Sequence, residues 1–116
     1  MAHGDTVKVG YGNGVHGVAD ATVAVYDLER DEHGNIRYDQ NGCAWPKQVG
    51  GVKGRSVGKV AGDPIRVHRS LVQQADGVRS HGGTDYVMLF PVEFEYYQRV
   101  AFVLQDHVHV VHGKLT

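Results

Sequence analysis

The chain has little that would fasten a fold covalently or anchor it in a membrane: its 116 residues include one cysteine, three prolines and one tryptophan. Cys43 has no second thiol to pair with, so no intramolecular disulfide forms, which suits a reducing compartment. No apolar run approaches the roughly 18 residues that a membrane-spanning helix needs, so no membrane partner is expected. Met1-Ala2-His3-Gly4-Asp5 offers no cationic stretch leading into an apolar one, and no secretory signal is expected. A surplus of charge is missing as well: 12 Lys and Arg face 13 Asp and Glu, a net charge of −1. The pI of about 6.7 lies below the basic range of dedicated nucleic-acid-binding domains, which ranks that class low.

The length allows one domain, residues 1–116, with one modest core. A hydrophobic fraction of 41% with 22% charged residues is ordinary for a globular chain. Glycine is in excess, at 16 residues, and there are 8 histidines. Charge is also unevenly spread. From Gln48 to Thr84 six basic residues (Lys53, Arg55, Lys59, Arg66, Arg69 and Arg79) face Asp63 and Asp76, so this stretch carries +4 and the remainder −5. Such asymmetry suggests complementarity between a basic segment and an acidic body, within one molecule or between neighbours. The plainer alternative is a solvated basic loop.

Alternation and β-branching predict strands at Thr6–Val9, Ala21–Leu28, Ile36–Asp39, Tyr86–Phe90, Arg99–Leu104 and His107–Val111. Asp31-Glu32-His33-Gly34-Asn35 reads as the turn joining the second and third as a hairpin, and Gln105-Asp106 as a tight turn joining the last two. Pro91 is expected to stop the strand that begins at Tyr86. Residues 48–84, with glycines at 50, 51, 54, 58, 62, 77, 82 and 83, read as one long glycine-rich basic loop. On that reading residues 50–60 are dispensable to the fold. Asp63-Pro64 offers a helix start with Gly77 as its end, although the alternation of Ile65 and Val67 equally suits a strand. The fold class is therefore mainly β, a small antiparallel barrel (SH3-like) or sandwich with one long loop that holds at most a short helix.

Few side chains here suggest chemistry. His107 and His109, two apart on a strand, would share a face and could hold one metal ion, with His112 joining only if the strand ends or bulges. Asp106 and His81 are the other ligands within conceivable reach. The alternative places both imidazoles on a wet face, with Val108 and Val110 filling the core. Gly12-Asn13-Gly14-Val15-His16-Gly17 matches Gly-x-Gly-x-x-Gly, yet β-branched residues rather than a helix follow it, so a glycine turn or arm is the better reading. Cys43 lacks an adjacent base or helix N-terminus to make a thiolate and reads as a small buried side chain beside a packed Trp45. Glu93 and Glu95 share one face around Phe94 and read as the wet side of an edge strand. No catalytic constellation emerges, no cofactor is implied, and the chain is not expected to be an enzyme. The enzymatic alternative is a small metal-dependent β-barrel using His107 and His109. A cellular interaction module is a third class.

The order of Asp31-Glu32-His33-Gly34-Asn35, Gly42-Cys43-Ala44-Trp45-Pro46-Lys47, a long polar loop and a strand ending at Pro91 resembles the head-to-tail stopper (head-closure) proteins of long-tailed bacteriophages of actinobacterial hosts. Gln98-Arg99-Val100 and Val110-Val111-His112-Gly113 stand where that family closes with Asp-Arg-Val and Val-x-Gly. The resemblance implies a small β-barrel forming a six- or twelve-fold ring in the neck of the virion, assembled in the host cytoplasm. Portal and adaptor proteins would lie above it, and tail terminator or tail tube proteins below. It further implies that the ring closes the DNA channel, with non-specific contact to packaged DNA. Lys53, Arg55, Lys59, Arg66, Arg69 and Arg79 would carry the interface or line the channel. A tail terminator or adaptor of the same assembly is the neighbouring alternative.

Overall fold

Valine at alternate positions dictates most of what forms. In a computed structural model that describes residues 2–13, 17–72, 85–95 and 99–111, ten strands follow one another. They are β1 (Thr6–Val9), β2 (Gly12–Asn13), β3 (Gly17–Val18), β4 (Val23–Leu28), β5 (Pro46–Val52), β6 (Ser56–Val60), β7 (Ile65–His68), β8 (Tyr86–Phe94), β9 (Arg99–Leu104) and β10 (Val108–Val110). Helical structure among the described residues is confined to two 3-10 turns, Arg69–Leu71 and Gln105–His107. The mainly β expectation holds. Eight strands form one antiparallel sheet in the order β10-β1-β6-β8-β9-β4-β5, with β7 also pairing on β8, while β2 and β3 form a separate two-strand ribbon. The sheet is open, with β10 and β5 as its outer strands, so the expected barrel does not close.

The central strands β4, β8 and β9 are buried on both faces, and alternation sends their side chains into two cores. Val23, Val25, Phe90, Val92, Phe94, Ala101 and Val103 join Val7, Val9, Val52, Val60 and Val108 in the first. That cluster draws on strands from both ends of the sheet, so the open sheet curls around it. Ala24, Tyr26, Leu28, Val87, Leu89 and Leu104 point the other way. There Val67, Val72 and Ala44 join them, with β7 paired beside β8 and Ala44, from the excursion between β4 and β5, bridged beside Val67. Each fully buried valine or leucine contributes about 1.5–3 kcal/mol relative to exposure.

The excursion is shaped by two aspartates. Asp31 Oδ1 accepts from the N–H groups of His33 (2.9 Å) and Asn35 (3.0 Å), and Asp39 Oδ1 from those of Asn41 (2.8 Å) and Cys43 (3.0 Å). The turn at 31–35 forms as expected, with Gly34 taking φ 82°. The hairpin shrinks to its turn end, where Asp31 N–H donates to the Asn35 carbonyl at 2.8 Å and Arg37 N–H to the Glu29 carbonyl at 3.0 Å. Ile36 and Tyr38 make only isolated bridges, to Arg30 and Ala44, while β4 pairs with β5 and β9.

Three further expectations change. Residues 48–72 are not a loop but β5, β6, β7 and a 3-10 turn; residues 73–84 lie outside the described residues. Gly51, Gly54 and Gly58 there mark close approaches, whereas Gly50 and Gly62 do not. A Cβ at Gly54 would run into the Ala19 carbonyl, and one at Gly58 would sit 2.6 Å from the Glu93 carbonyl oxygen. At Ile65–His68 the strand alternation prevails over the helix reading. Second, β8 runs through Pro91 to Phe94. The Pro91 carbonyl accepts from Ala61 N–H at 2.8 Å, so its backbone faces the gap between the end of β6, at Val92, and the start of β7, at Leu89. A missing N–H there breaks no ladder bond to β9. Third, β9 and β10 form no hairpin: the chain turns at Gln105–His107 and delivers β10 to β1.

Candidate functional site

His107 and His109 are placed by different elements, which undoes the shared-face argument. His107 closes the 3-10 turn after β9, 5% exposed, and its ring lies against Tyr11 with centroids 4.4 Å apart at 59°. Its Nδ1 is buried without a hydrogen-bond partner among the described residues. Burial pushes the His107 pKa below its ordinary 6.5; neighbouring Asp106 opposes that shift and His109 adds to it. His109, half-buried on β10, donates from Nε2 to the Gly10 carbonyl at 3.0 Å. The Gly10 N–H in turn donates to the His107 carbonyl at 2.8 Å. The pair therefore grips a backbone instead of converging on a cation. Among the described residues no three His, Cys, Asp or Glu side chains gather around a point that could hold a metal ion. His112 and His81 lie outside the described residues.

The described ends of the glycine motif pair as a two-strand ribbon. Gly12 and Asn13 pair with Val18 and Gly17, β4 is the next element after this ribbon, and no helix opens there as a dinucleotide site requires. Residues 14–16 lie outside the described residues.

The six basic residues do not form one surface. Lys53 and Arg55 sit in the β5–β6 turn, where Arg55 takes φ 71° and its Nε donates to the Val18 carbonyl at 2.7 Å. Lys59 on β6 stands opposite Glu93, while Arg66 on β7 stands opposite Met88. Positions 93 and 88 of β8 lie on opposite faces, so Lys59 and Arg66 do too. Arg69 opens the 3-10 turn after β7, its N–H on the Asp85 carbonyl at 2.9 Å. Arg79 lies outside the described residues. Lys53, Arg55, Lys59 and Arg66 make no ion pair among the described residues. The two ion pairs found there, Glu32–His33 at 3.5 Å and Glu29–Arg37 at 3.7 Å, both belong to the acidic excursion.

A corner that the sequence did not disclose forms around Arg66. Its guanidinium lies 5.0 Å from the Tyr86 ring centroid and reaches toward Gly42, where an added Cβ would meet its Nη2 at 3.3 Å. A parallel bridge between Ala44 and Val67, with Ala44 N–H on the Arg66 carbonyl at 2.8 Å, brings these segments together. Cys43 is buried here as expected. Burial pushes its thiol pKa up, Asp39 adds to that and Arg66 opposes it, so it is poorly suited to nucleophilic work. Trp45, expected to pack beside it, is instead 36% exposed. Nothing in the local sequence pairs Gly42 or Ala44 with β7; only the isolated bridge does.

Glu93 and Glu95 are exposed on either side of buried Phe94, as alternation requires. The strand is central rather than an edge, and with Thr6, Val57, Gly58 and Lys59 they line a shallow cleft of about 550 Å³. Compared with known protein families, curated proteins and solved structures, the chain matches none.

Proposed function

We propose that this chain is a virion structural protein, a ring subunit of the head-to-tail stopper kind, working in the neck between head and tail. The observation that best supports this is how the exposed charge is laid out. The excursion between β4 and β5 carries Glu29, Asp31, Glu32 and Asp39 against Arg30 and Arg37, a net charge of −2, whereas Lys53, Arg55 and Lys59 occupy the β5–β6 turn and β6, Lys59 opposite Glu93. A body with separated charges suits repeated contacts between copies and neighbours. Of the segments carrying the resemblance, 31–35 is exposed throughout, and in 42–47 Gly42, Trp45 and Lys47 are exposed while Cys43 and Ala44 are buried. In this reading the copies form a six- or twelve-fold ring, with portal and adaptor proteins above and tail terminator or tail tube proteins below. Contact with packaged DNA is non-specific. A tail terminator or adaptor role in the same neck is the nearest variant.

The correction at 48–60 changes how the reading is tested. Deleting residues 50–60 would remove Val52 and Val60 from the first core, so point changes replace the deletion. The intact chain is mixed with a candidate portal–adaptor complex, and mass is followed by light scattering. Joining as a ring is expected, weakened by Lys53→Glu combined with Lys59→Glu while far-UV circular dichroism stays unchanged. Failure of the unmodified chain to join any neck complex overturns the proposal, and joining only tail tube protein moves the assignment to the terminator.

A further inference from the structure

The His107-Val108-His109 motif has no part in the ring reading, and its surroundings give it a separate task. Gly10 is gripped from two sides by this short segment: its N–H donates to the His107 carbonyl and its carbonyl accepts from His109 Nε2. The next side chain, Tyr11, lies against the His107 ring. The grip ties together the end of β1, the start of β10 and the root of the β2–β3 ribbon. β10 is an outer strand whose only partner among the described residues is β1.

The His107 ring is the weak point of this grip. It is the one polar side chain in the described core, and its Nδ1 has no partner there. A neutral imidazole tolerates such a site, whereas an imidazolium must bury a second, unsatisfied donor. The surrounding groups offer little help. Asp106 on the same turn favours the charged ring but is itself exposed, and His109 on β10 disfavours it. The Tyr11 ring, 4.4 Å away and tilted by 59°, offers a cation at most the weak attraction of an aromatic ring and no acceptor shown for Nδ1, and Lys8 stands opposite His109 on β1. The Arg55 guanidinium, from the β5–β6 turn, is directed to the Val18 carbonyl. On β8 the pairing of Leu89 with Leu104 carries the turn toward Met88, Val87 and Tyr86, of which Tyr86 alone has an ionisable side chain.

We propose that His107 is an acid-sensitive latch: its protonation frees Gly10 and Tyr11 and so detaches β10 and the root of the β2–β3 ribbon, leaving the rest of the sheet in place. The latched state holds the ring neutral, so it binds a proton less readily than the detached state, where the ordinary value of 6.5 returns. Detachment therefore takes up a proton. The latch is at full strength above pH 6.5 and weakens as pH falls below it. It stands independently of the ring reading.

The test is amide hydrogen exchange on the intact chain from neutral to mildly acidic pH, corrected for the intrinsic pH dependence of exchange. The reporters are Gly10 and Val111, whose N–H donates to the Thr6 carbonyl at 3.0 Å, with β4 and β9 amides as the internal reference. Protection at Gly10 and Val111 is expected to fall severalfold below pH 6.5 while the reference holds. In His107→Phe, which keeps a ring for Tyr11 but cannot take a proton, that fall should vanish. An equal fall in the variant, or unchanged protection in the parent, overturns the latch. Should the variant not fold, ring titration of the parent by NMR decides. A His107 midpoint below 6.5 supports the latch, and one at or above 6.5 overturns it.

Discussion

Asp31 and Asp39 close two turns in the same way, each with one carboxylate oxygen accepting two backbone N–H groups, yet their surroundings differ. The Asp31 bonds are exposed, whereas the Asp39 bond to Cys43 is partly buried beside the second core. Water replaces the first set readily and the second poorly. Asp39→Ala is therefore expected to cost about 1–2 kcal/mol in chemical denaturation, and Asp31→Ala clearly less. The same substitution should expose Cys43. The native thiol, buried and with its pKa pushed up by that burial and by Asp39, should react with a disulfide reagent far more slowly than in the unfolded chain. Reaction should quicken in Asp39→Ala, and native reaction at the unfolded rate would refute this packing. Turns of this kind are legible in a sequence because donor and acceptor lie within a few residues. The contact of Tyr11 with His107 is not, since its partners come from opposite ends of the chain and meet only through β1 and β10.

At the scale of elements, the strands rich in valine and aromatic residues were readable, and those diluted by glycine were not. β5 and β6 carry Gly50, Gly51 and Gly58, and a glycine count alone cannot distinguish slack from close approach. Gly58 decides the matter physically. An added Cβ would lie 2.6 Å from the Glu93 carbonyl oxygen and 2.7 Å from Val92 Cγ1, forcing β6 away from β8. Gly58→Ala is expected to destabilise by about 1–3 kcal/mol, as overpacking does. Gly62→Ala is the control, because its Cβ would meet Pro91 Cγ at an ordinary 3.5 Å and should change stability little. Equal effects at the two positions would mean that β6 and β8 are not this close. Pro91 and the β9–β10 turn misled for a related reason. Whether a proline ends a strand depends on which neighbour its nitrogen faces, and a short turn does not reveal whether the next strand returns to its predecessor or crosses to β1.

For the whole molecule, the two cores share their central strands, and this sets how the protein should unfold. Val103 and Leu104 are adjacent on β9 yet point into opposite clusters, as Phe90 and Leu89 do on β8. Removing side-chain volume from either core weakens the same three strands, so neither core can come apart without loosening the other. Leu89, fully buried in the second core, and Phe94, 2% exposed in the first, probe the two sides. Leu89→Ala should cost about 2–5 kcal/mol and Phe94→Ala about 3–5 kcal/mol. Either is a large part of the roughly 5–15 kcal/mol that holds a typical domain. Trp45 fluorescence reports the excursion over the second core, and far-UV circular dichroism reports the sheet. The two denaturation curves should coincide in the parent and in both variants, with midpoints lowered together. A fluorescence change preceding loss of the sheet would instead make the excursion an independent unit, resting on a sheet stable without it. That outcome would also separate the excursion, where the proposed neighbour contacts lie, from the body that carries it.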